Sequence, residues 1–180
     1  TDALALSAIK LIANNLRTAY YQGGNLEARY NMAIAAAMAA APSVCTLAHS
    51  IGQTFSPKFK VPHGISVAIP LPYSMEYCLP VAQKKLALIA EAMGEDIKGL
   101  RLVEAAQKAI HSVVKLIKDV DIPISLREIN IPKDYLPELV DAVVSGRSGQ
   151  KRNLMVNPRI VTKEHLTEIV ERMWRGDLET

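Results

Sequence analysis

Apolar residues recur at three- and four-residue spacing along most of the chain, and almost no segment alternates with a period of two. This periodicity predicts amphipathic α-helices. The first helix carries Ile9 and Leu16 inward and ends near Gly23. Asn25 then caps a second helix, which contains the alanine-rich run at 32–41. Because alanine permits close approach of a neighbouring helix, we expect this second helix to be central and buried.

Prolines, glycines and small polar residues divide the middle of the chain. Pro42 and Ser43 mark a break, after which Ser43 can cap a short helix running through His49 toward Thr54. The stretch 56–58 (SPK) predicts a loop, because proline removes a backbone donor and disfavours the helical conformation before it. A new apolar pattern then begins at residue 64.

The second half of the chain predicts further helices separated by turns. The pattern over 64–77 is helical at least in part, and Thr162 caps a last helix. Clear helical patterns occupy 80–93, 102–120, 135–145 and 162–174. No tandem repeat or low-complexity linker interrupts them. The sequence therefore predicts a single all-α domain over residues 1–180, a multi-helix bundle of about seven or eight helices.

Composition narrows the classes of partner. The chain has 180 residues, 49% of them hydrophobic, and a net charge of +3. That charge is too small to indicate nucleic acid or an anionic membrane as a partner. The one local basic cluster, 146–152 (GRSGQKR), is typical of a solvated loop. No apolar run reaches the roughly 18 residues that a membrane span needs.

The two cysteines, Cys45 and Cys78, are too few for a disulfide framework. So small a number of cysteines indicates a reducing compartment, and we expect a cytoplasmic protein. The chain opens on Thr1 without an initiator methionine or a signal-peptide pattern, which indicates a fragment of a longer protein.

Two of the four histidines bracket one loop. His63 lies in a Pro-His-Gly turn, fourteen positions after His49. Neutral imidazole is a common ligand of iron and zinc, so the two side chains could hold one ion. Such a site needs three or four ligands, and Cys45, one helical turn before His49, could join on the same face. Alternatively, His49 packs against a neighbour and His63 caps the next helix. His111 and His165 are typical of helix-surface positions.

Five segments in succession resemble one family. They are TDALALSAIKLIANNL, NLEARYNMAIAAAM, AHSIG…VPHGISVAIPLPYSMEY, DIPISLREINIPKDYLPELVDAVV and NLMVNPRIVTKEHLTEIVERMW. In this order they resemble the C-terminal, all-helical domain of the iron-containing (group III) alcohol dehydrogenases, also described as a dehydroquinate synthase-like α-domain. The resemblance covers essentially the whole chain.

The resemblance implies a second, N-terminal domain that binds NAD or NADP and is missing from this chain. It implies a divalent metal, Fe2+ or Zn2+, held between the two domains by an Asp and three His. The Asp and the first His belong to a D-x-x-x-H motif expected before residue 1. We therefore expect the nucleotide-binding domain as the partner of this one, a small alcohol or aldehyde as substrate, and a homo-oligomer.

The family pattern assigns His63, in Val61-Pro62-His63-Gly64, to the last metal ligand. His49 can be placed in two ways. As the first His of the family's H-x-x-x-H motif it is a metal ligand, and Gln53 replaces the second His, to which proton relay is assigned. Alternatively, the string around His49 resembles that around the second His, and Cys45 then takes the metal position. The first placement needs fewer gaps and is preferred.

The implied activity is NAD(P)-dependent interconversion of an alcohol with an aldehyde or ketone, with the residues at 65–71 beside the substrate. The isolated domain is expected to be inactive. Two alternatives stay open: a non-catalytic helical scaffold or oligomerisation module, and a zinc-dependent relative similar to the glycerol dehydrogenases.

Overall fold

The computed structural model of the protein describes residues 2–40, 45–146 and 151–178, and within these ranges it is helical without any strand. The all-α prediction is confirmed. The helices are α1 (Asp2–Tyr21), α2 (Leu26–Ala40), α3 (Leu47–Phe59), α4 (His63–Ala68), α5 (Pro70–Ala92), α6 (Leu102–Asp119), a 3₁₀ helix (Lys133–Tyr135), α7 (Leu136–Ser145), α8 (Lys151–Met155) and α9 (Lys163–Arg175).

The helix boundaries differ from the expected ones around proline. Pro57 lies inside α3 and Pro80 inside α5, so the predicted loop at 56–58 is wrong and 80–93 is not a separate helix. The periodicity of the sequence did not predict the two short helices, α4 and α8, as separate elements. The predicted cap at Ser43 and positions 147–150 of the predicted basic loop 146–152 lie outside the described residues, whereas the last two positions of that loop belong to α8.

Contacts beyond the helix hold the last turn of α3. Phe59 packs edge-on against Tyr135, with ring centres 4.8 Å apart. The ammonium group of Lys58 lies 4.2 Å from the centre of the same ring and 2.7 Å from Glu138. The helix then ends at Lys60, which adopts a left-handed conformation with φ 52°. The partners in these contacts belong to the 3₁₀ helix and α7, which are distant in sequence. The local sequence around Pro57 therefore predicted a loop and could not reveal them.

The described residues divide into two compact units. One contains residues 1–43 and 82–121, and the other contains residues 44–81 and 122–180. Helix α5 contributes to both. The single-domain boundary at 1–180 therefore stays a prediction.

In the first unit, α1 packs along α2. Asn25 caps α2 as predicted, its Oδ1 accepting a hydrogen bond of 3.0 Å from the N–H of Ala28. The prediction that α2 is buried is wrong, because only Ala28 and Ala35 of this helix are buried. Its alanines make the helix apolar on every side, so the sequence pattern could not identify the face that packs against α1.

The second unit has a core of large apolar side chains contributed by α3, α5, α7 and α9. The fully buried members include Leu47, Ile51, Phe55, Tyr73, Leu139, Leu166 and Met173. This core places α3 and α4, the helices that carry the candidate site. In the part of the chain that is described, no helix is both long and apolar enough to cross a membrane.

Candidate metal centre

His49 and His63 lie beside each other in the second unit, as the sequence predicted for residues of one site. His49 is on the first turn of α3, and His63 is the first residue of α4. Their ring centres are 5.7 Å apart, and the ring planes are tilted by 55°. We refer to His49 and His63 as the histidine pair.

A glycine brings the two helices this close. A β-carbon added to Gly52 would lie 2.7 Å from the carbonyl carbon of Ser66 and still closer to its oxygen. Gly52 is three residues after His49 and Ser66 is three residues after His63, so this contact is one helical turn from the histidine pair. The Ser66 hydroxyl also donates a hydrogen bond of 2.9 Å to the carbonyl of His63. The sequence shows a glycine within the predicted helix, but it could not show that this glycine contacts Ser66.

The two imidazoles have different environments. His49 is half-buried and His63 is exposed. Burial lowers the pKa of His49 below its ordinary value, and the neighbouring His63 lowers that pKa further. His49 is therefore held in the neutral form near pH 7, which is the form that ligates a metal.

The separation of the rings fits a shared ion. With a nitrogen–zinc bond of about 2.1 Å, a ring centre lies roughly 3 Å from the metal, so two ligating imidazoles can be up to roughly 6 Å apart. The observed 5.7 Å is within that limit. Among the described residues, no group of three or more His, Cys, Asp or Glu side chains could hold a metal. The histidine pair by itself has fewer than the three or four ligands that a transition-metal site needs.

Cys45 does not occupy the position expected from helical spacing. It precedes Thr46, the residue before the first turn of α3, and so is not one helical turn before His49 on the same helix. Both cysteines are free thiols, and Cys45 is partly exposed. The expectation that Cys45 lies on the same helical face as His49 is therefore wrong.

Gln53 follows His49 by four residues on α3, so both residues lie on the same side of that helix. Its side chain is half-buried. A glutamine amide can donate and accept hydrogen bonds there, but it does not exchange a proton near neutral pH.

His165, which was expected at the helix surface, is half-buried and contacts Tyr77. The hydroxyl of Tyr77 donates a hydrogen bond to the carbonyl of Ile160, and its oxygen lies 3.0 Å from Nδ1 of His165. Nδ1–H of His165 is therefore the donor in that contact. Burial raises the pKa of Tyr77. His111, by contrast, is exposed on α6 as predicted.

The turn after α8 contains a buried amide that the sequence did not identify as functional. Asn157 is 9% exposed, and its Oδ1 accepts a hydrogen bond of 3.4 Å from the N–H of Leu47, the first residue of α3. Arg159 donates a hydrogen bond of 2.9 Å to the carbonyl of Tyr77. The contacts of this turn with α3 and α5 depend on the fold and could not be predicted from the sequence.

An all-helical domain that places two imidazoles within reach of one ion is of the kind found in metal-dependent enzymes. The family model described as "Fe-containing alcohol dehydrogenase family, C-terminal" matches residues 1–174. The chain belongs to this family and corresponds to its C-terminal part.

Relatives and solved structures agree with this assignment. The chain is 36% identical over 172 residues to 1,3-propanediol dehydrogenase of Citrobacter freundii, covering 94% of this chain and 43% of the relative. It is 32% identical over 177 residues to lactaldehyde reductase of Escherichia coli (strain K12), covering 97% and 44%. It is 30% identical over 174 residues to NAD-dependent methanol dehydrogenase of Bacillus methanolicus, covering 95% and 44%.

A crystal structure of 1,3-propanediol oxidoreductase aligns with a TM-score of 0.88 at 34% identity, covering 96% of this chain and 44% of the other. An alcohol dehydrogenase from Oenococcus oeni aligns with the same TM-score of 0.88 at 31% identity, covering 96% and 44%. The chain thus spans less than half the length of the relatives that it matches.

Proposed function

We propose that this chain is the metal-binding helical part of an NAD(P)-dependent alcohol dehydrogenase, with His49 and His63 as two of the metal ligands. The observation that carries the proposal is the 5.7 Å separation of the two ring centres, on helices that approach each other through Gly52. Family membership supports the reaction class. The remaining ligands and the nicotinamide site belong to the part of the protein outside this chain.

The histidine pair has one task in this proposal, which is to present two ring nitrogens to a single ion. The half-buried position of His49 favours its neutral form. A divalent iron or zinc ion, when bound, supplies a Lewis acid for the alcohol or carbonyl oxygen. The exposed position of His63 leaves its ring accessible to an ion held between this chain and a second domain.

Gln53 is proposed to orient the substrate rather than to carry a proton. Its amide is one turn beyond His49 and can hydrogen-bond an alcohol or carbonyl oxygen. Where a second histidine stands in the family's motif, a proton can be relayed through the ring, and an amide cannot do this. Proton transfer in this protein therefore needs water or another group.

The substrate class follows from the relatives and from the residues after His63. The relatives' names include a propanediol, lactaldehyde and methanol, so we propose a small alcohol or aldehyde. Of the segment at 65–71, Ile65, Val67 and Ala68 are half-buried and can face a substrate. Ile69 is fully buried and belongs to the core instead.

Metal titration of the full-length protein, first freed of metal, tests the ligand assignment. Co2+ and Zn2+ are titrated by calorimetry, and the Co2+ complex is followed by its visible absorption. We expect His49→Ala and His63→Ala each to weaken binding at least about tenfold, because each removes one of the ligands. His111→Ala is the matched control, since His111 is exposed on α6 and belongs to the other unit.

Equal weakening by His111→Ala would show adventitious binding and contradict the proposal. Undiminished metal binding in His63→Ala would also contradict the proposal. In the full-length protein, loss of metal and of dehydrogenase activity together in His63→Ala is the expected result.

A further inference from the structure

Helix α3 begins without a capping side chain of its own. The first N–H groups of a helix have no acceptor within the helix, and a side chain at the preceding position usually supplies one. Here the Thr46 side chain makes no such hydrogen bond. The N–H of the fully buried Leu47 instead donates to Oδ1 of Asn157, at 3.4 Å and 110 residues away along the chain.

Two further contacts fix the orientation of this amide. Nδ2 of Asn157 donates a hydrogen bond of 2.7 Å to the carbonyl of Arg159 and lies 3.4 Å from Sγ of Cys78. A carbonyl oxygen only accepts, so the NH2 side of the amide must face Arg159. The oxygen side is consequently turned toward Leu47. Burial raises the pKa of the Cys78 thiol, which keeps that neighbour uncharged.

The same turn also holds α5. Nη1 of Arg159 donates a hydrogen bond of 2.9 Å to the carbonyl of Tyr77, and its guanidinium group stacks 4.3 Å from the centre of the Tyr77 ring. Helix α4 ends at Ala68, and only Ile69 separates it from α5, which begins at Pro70. The turn is thus bonded to α3, which carries His49. It is also bonded to α5, which follows α4, the helix that carries His63.

We infer that Asn157 is a positioning residue for the histidine pair: its amide fixes the amino-terminal turn of α3, and thereby the place of His49 relative to His63. His49 is two residues after the N–H that Asn157 accepts, so movement of this turn moves the ligand directly. The inference rests on the proposed function, because it assigns a purpose to Asn157 only if the histidine pair binds metal.

The test compares four forms of the full-length protein: wild type, Asn157→Ala, Asn157→Asp and Thr162→Ala. Zn2+ and Co2+ affinity is measured by calorimetry, the Co2+ complex by visible absorption, and fold stability by urea unfolding. Thr162→Ala is the control for stability, because the Thr162 side chain caps a different helix, α9, through the N–H of His165.

We expect Asn157→Ala to weaken metal affinity about tenfold and to change the Co2+ spectrum, as is typical when a group that orients a ligand is removed. Thr162→Ala should unfold at lower urea with metal affinity within about twofold of wild type. Asn157→Asp keeps an acceptor for the N–H of Leu47 but places an oxygen where the NH2 group donates to the carbonyl of Arg159, so it should recover only part of the affinity.

Equal metal affinity in wild type and Asn157→Ala, with His49→Ala and His63→Ala both defective, would overturn the role of Asn157 and leave the proposed function intact. Absence of bound metal in the wild-type full-length protein, or binding indifferent to both histidines, would overturn both. If Asn157→Ala does not fold, Asn157→Gln replaces it with the same expected loss, because the amide is then displaced by one methylene group.

Discussion

Gly52 of α3 contacts the backbone of Ser66 in α4 so closely that no β-carbon fits between them. This contact lies one turn from each member of the histidine pair. The separation of the two imidazoles is therefore determined by backbone packing as well as by side-chain rotamers. A glycine that supplies neither ligand nor hydrogen bond is in this way part of the geometry of the site.

Gly52→Ala should destabilise the fold and disturb the histidine pair together. The added methyl group would meet backbone atoms, which cannot rotate away as a side chain can, so α4 has to move from α3. We expect a loss of about 2–3 kcal/mol in the free energy of unfolding, the size typical of overpacking. Urea unfolding measures this loss, and Zn2+ titration should show weaker binding in the folded fraction.

Gly64→Ala is the matched control for that substitution. Gly64 lies on α4 next to His63, and a β-carbon there would meet no atom within 4 Å. Because alanine favours a helix more than glycine does, this variant should be unchanged or more stable by up to about 1 kcal/mol. If both variants lost stability equally, the close approach of α3 and α4 would not be the reason.

Cys45→Ser should leave metal affinity within about twofold of wild type, whereas His49→Ala should lower it about tenfold or more. The reason is that Cys45 precedes α3, while His49 lies beside His63. Parallel Co2+ titrations of the two variants make the comparison, with the thiolate-to-cobalt absorption as an independent signal. If Cys45→Ser lost metal binding while His49→Ala kept it, Cys45 and not His49 would occupy the metal position of the motif.

Helices with one apolar stripe and a clear cap could be located from the sequence. Examples are α9, which begins after Thr162 as predicted, and α6 at Leu102–Asp119. The prediction was wrong where tertiary contacts override local preference, as at Pro57. It was also wrong for α2, where an alanine-rich helix has no polar side from which to infer its orientation.

The candidate site could be predicted to the extent that it depends on local sequence. The Pro-His-Gly turn and the spacing to His49 indicated two imidazoles near one another, and the structure brings them together. The amide of Asn157 reaches α3 across 110 residues, and Tyr77 reaches His165 across 88. Contacts of this kind depend on how helices pack, so neither periodicity nor spacing could show them.

Tyr77→Phe should lower the free energy of unfolding by about 2 kcal/mol, because it leaves the carbonyl of Ile160 and Nδ1 of His165 without the hydroxyl that they contact. Urea unfolding at pH 7 measures the loss. Tyr30→Phe is the control, since Tyr30 is 66% exposed on α2, and it should stay within about 0.5 kcal/mol of wild type. A loss no larger than that of the control would show that the Tyr77 hydroxyl contributes nothing to stability.

The contact between Ser112 and Glu95 predicts a pH-dependent contribution to stability. The Ser112 hydroxyl donates a hydrogen bond of 2.6 Å to Glu95, and this bond, followed by Lys108, lowers the pKa of the Glu95 carboxyl. A carboxyl with a lowered folded-state pKa stabilises the fold above the ordinary pKa of glutamate, about 4.3, and this stabilisation is lost as the pH falls through the folded-state value.

Ser112→Ala should therefore lower the free energy of unfolding by about 1 kcal/mol at pH 7, a modest value because Glu95 is partly exposed. Its difference from wild type should shrink as the pH falls and the carboxyl becomes protonated in both proteins. Urea unfolding at pH 7, 5 and 3 measures the trend. Ser7→Ala, at an exposed position in α1, provides a helical serine whose effect should not vary with pH. A difference between Ser112→Ala and wild type that stays constant or grows as the pH falls would mean that the bond does not favour the charged form of Glu95.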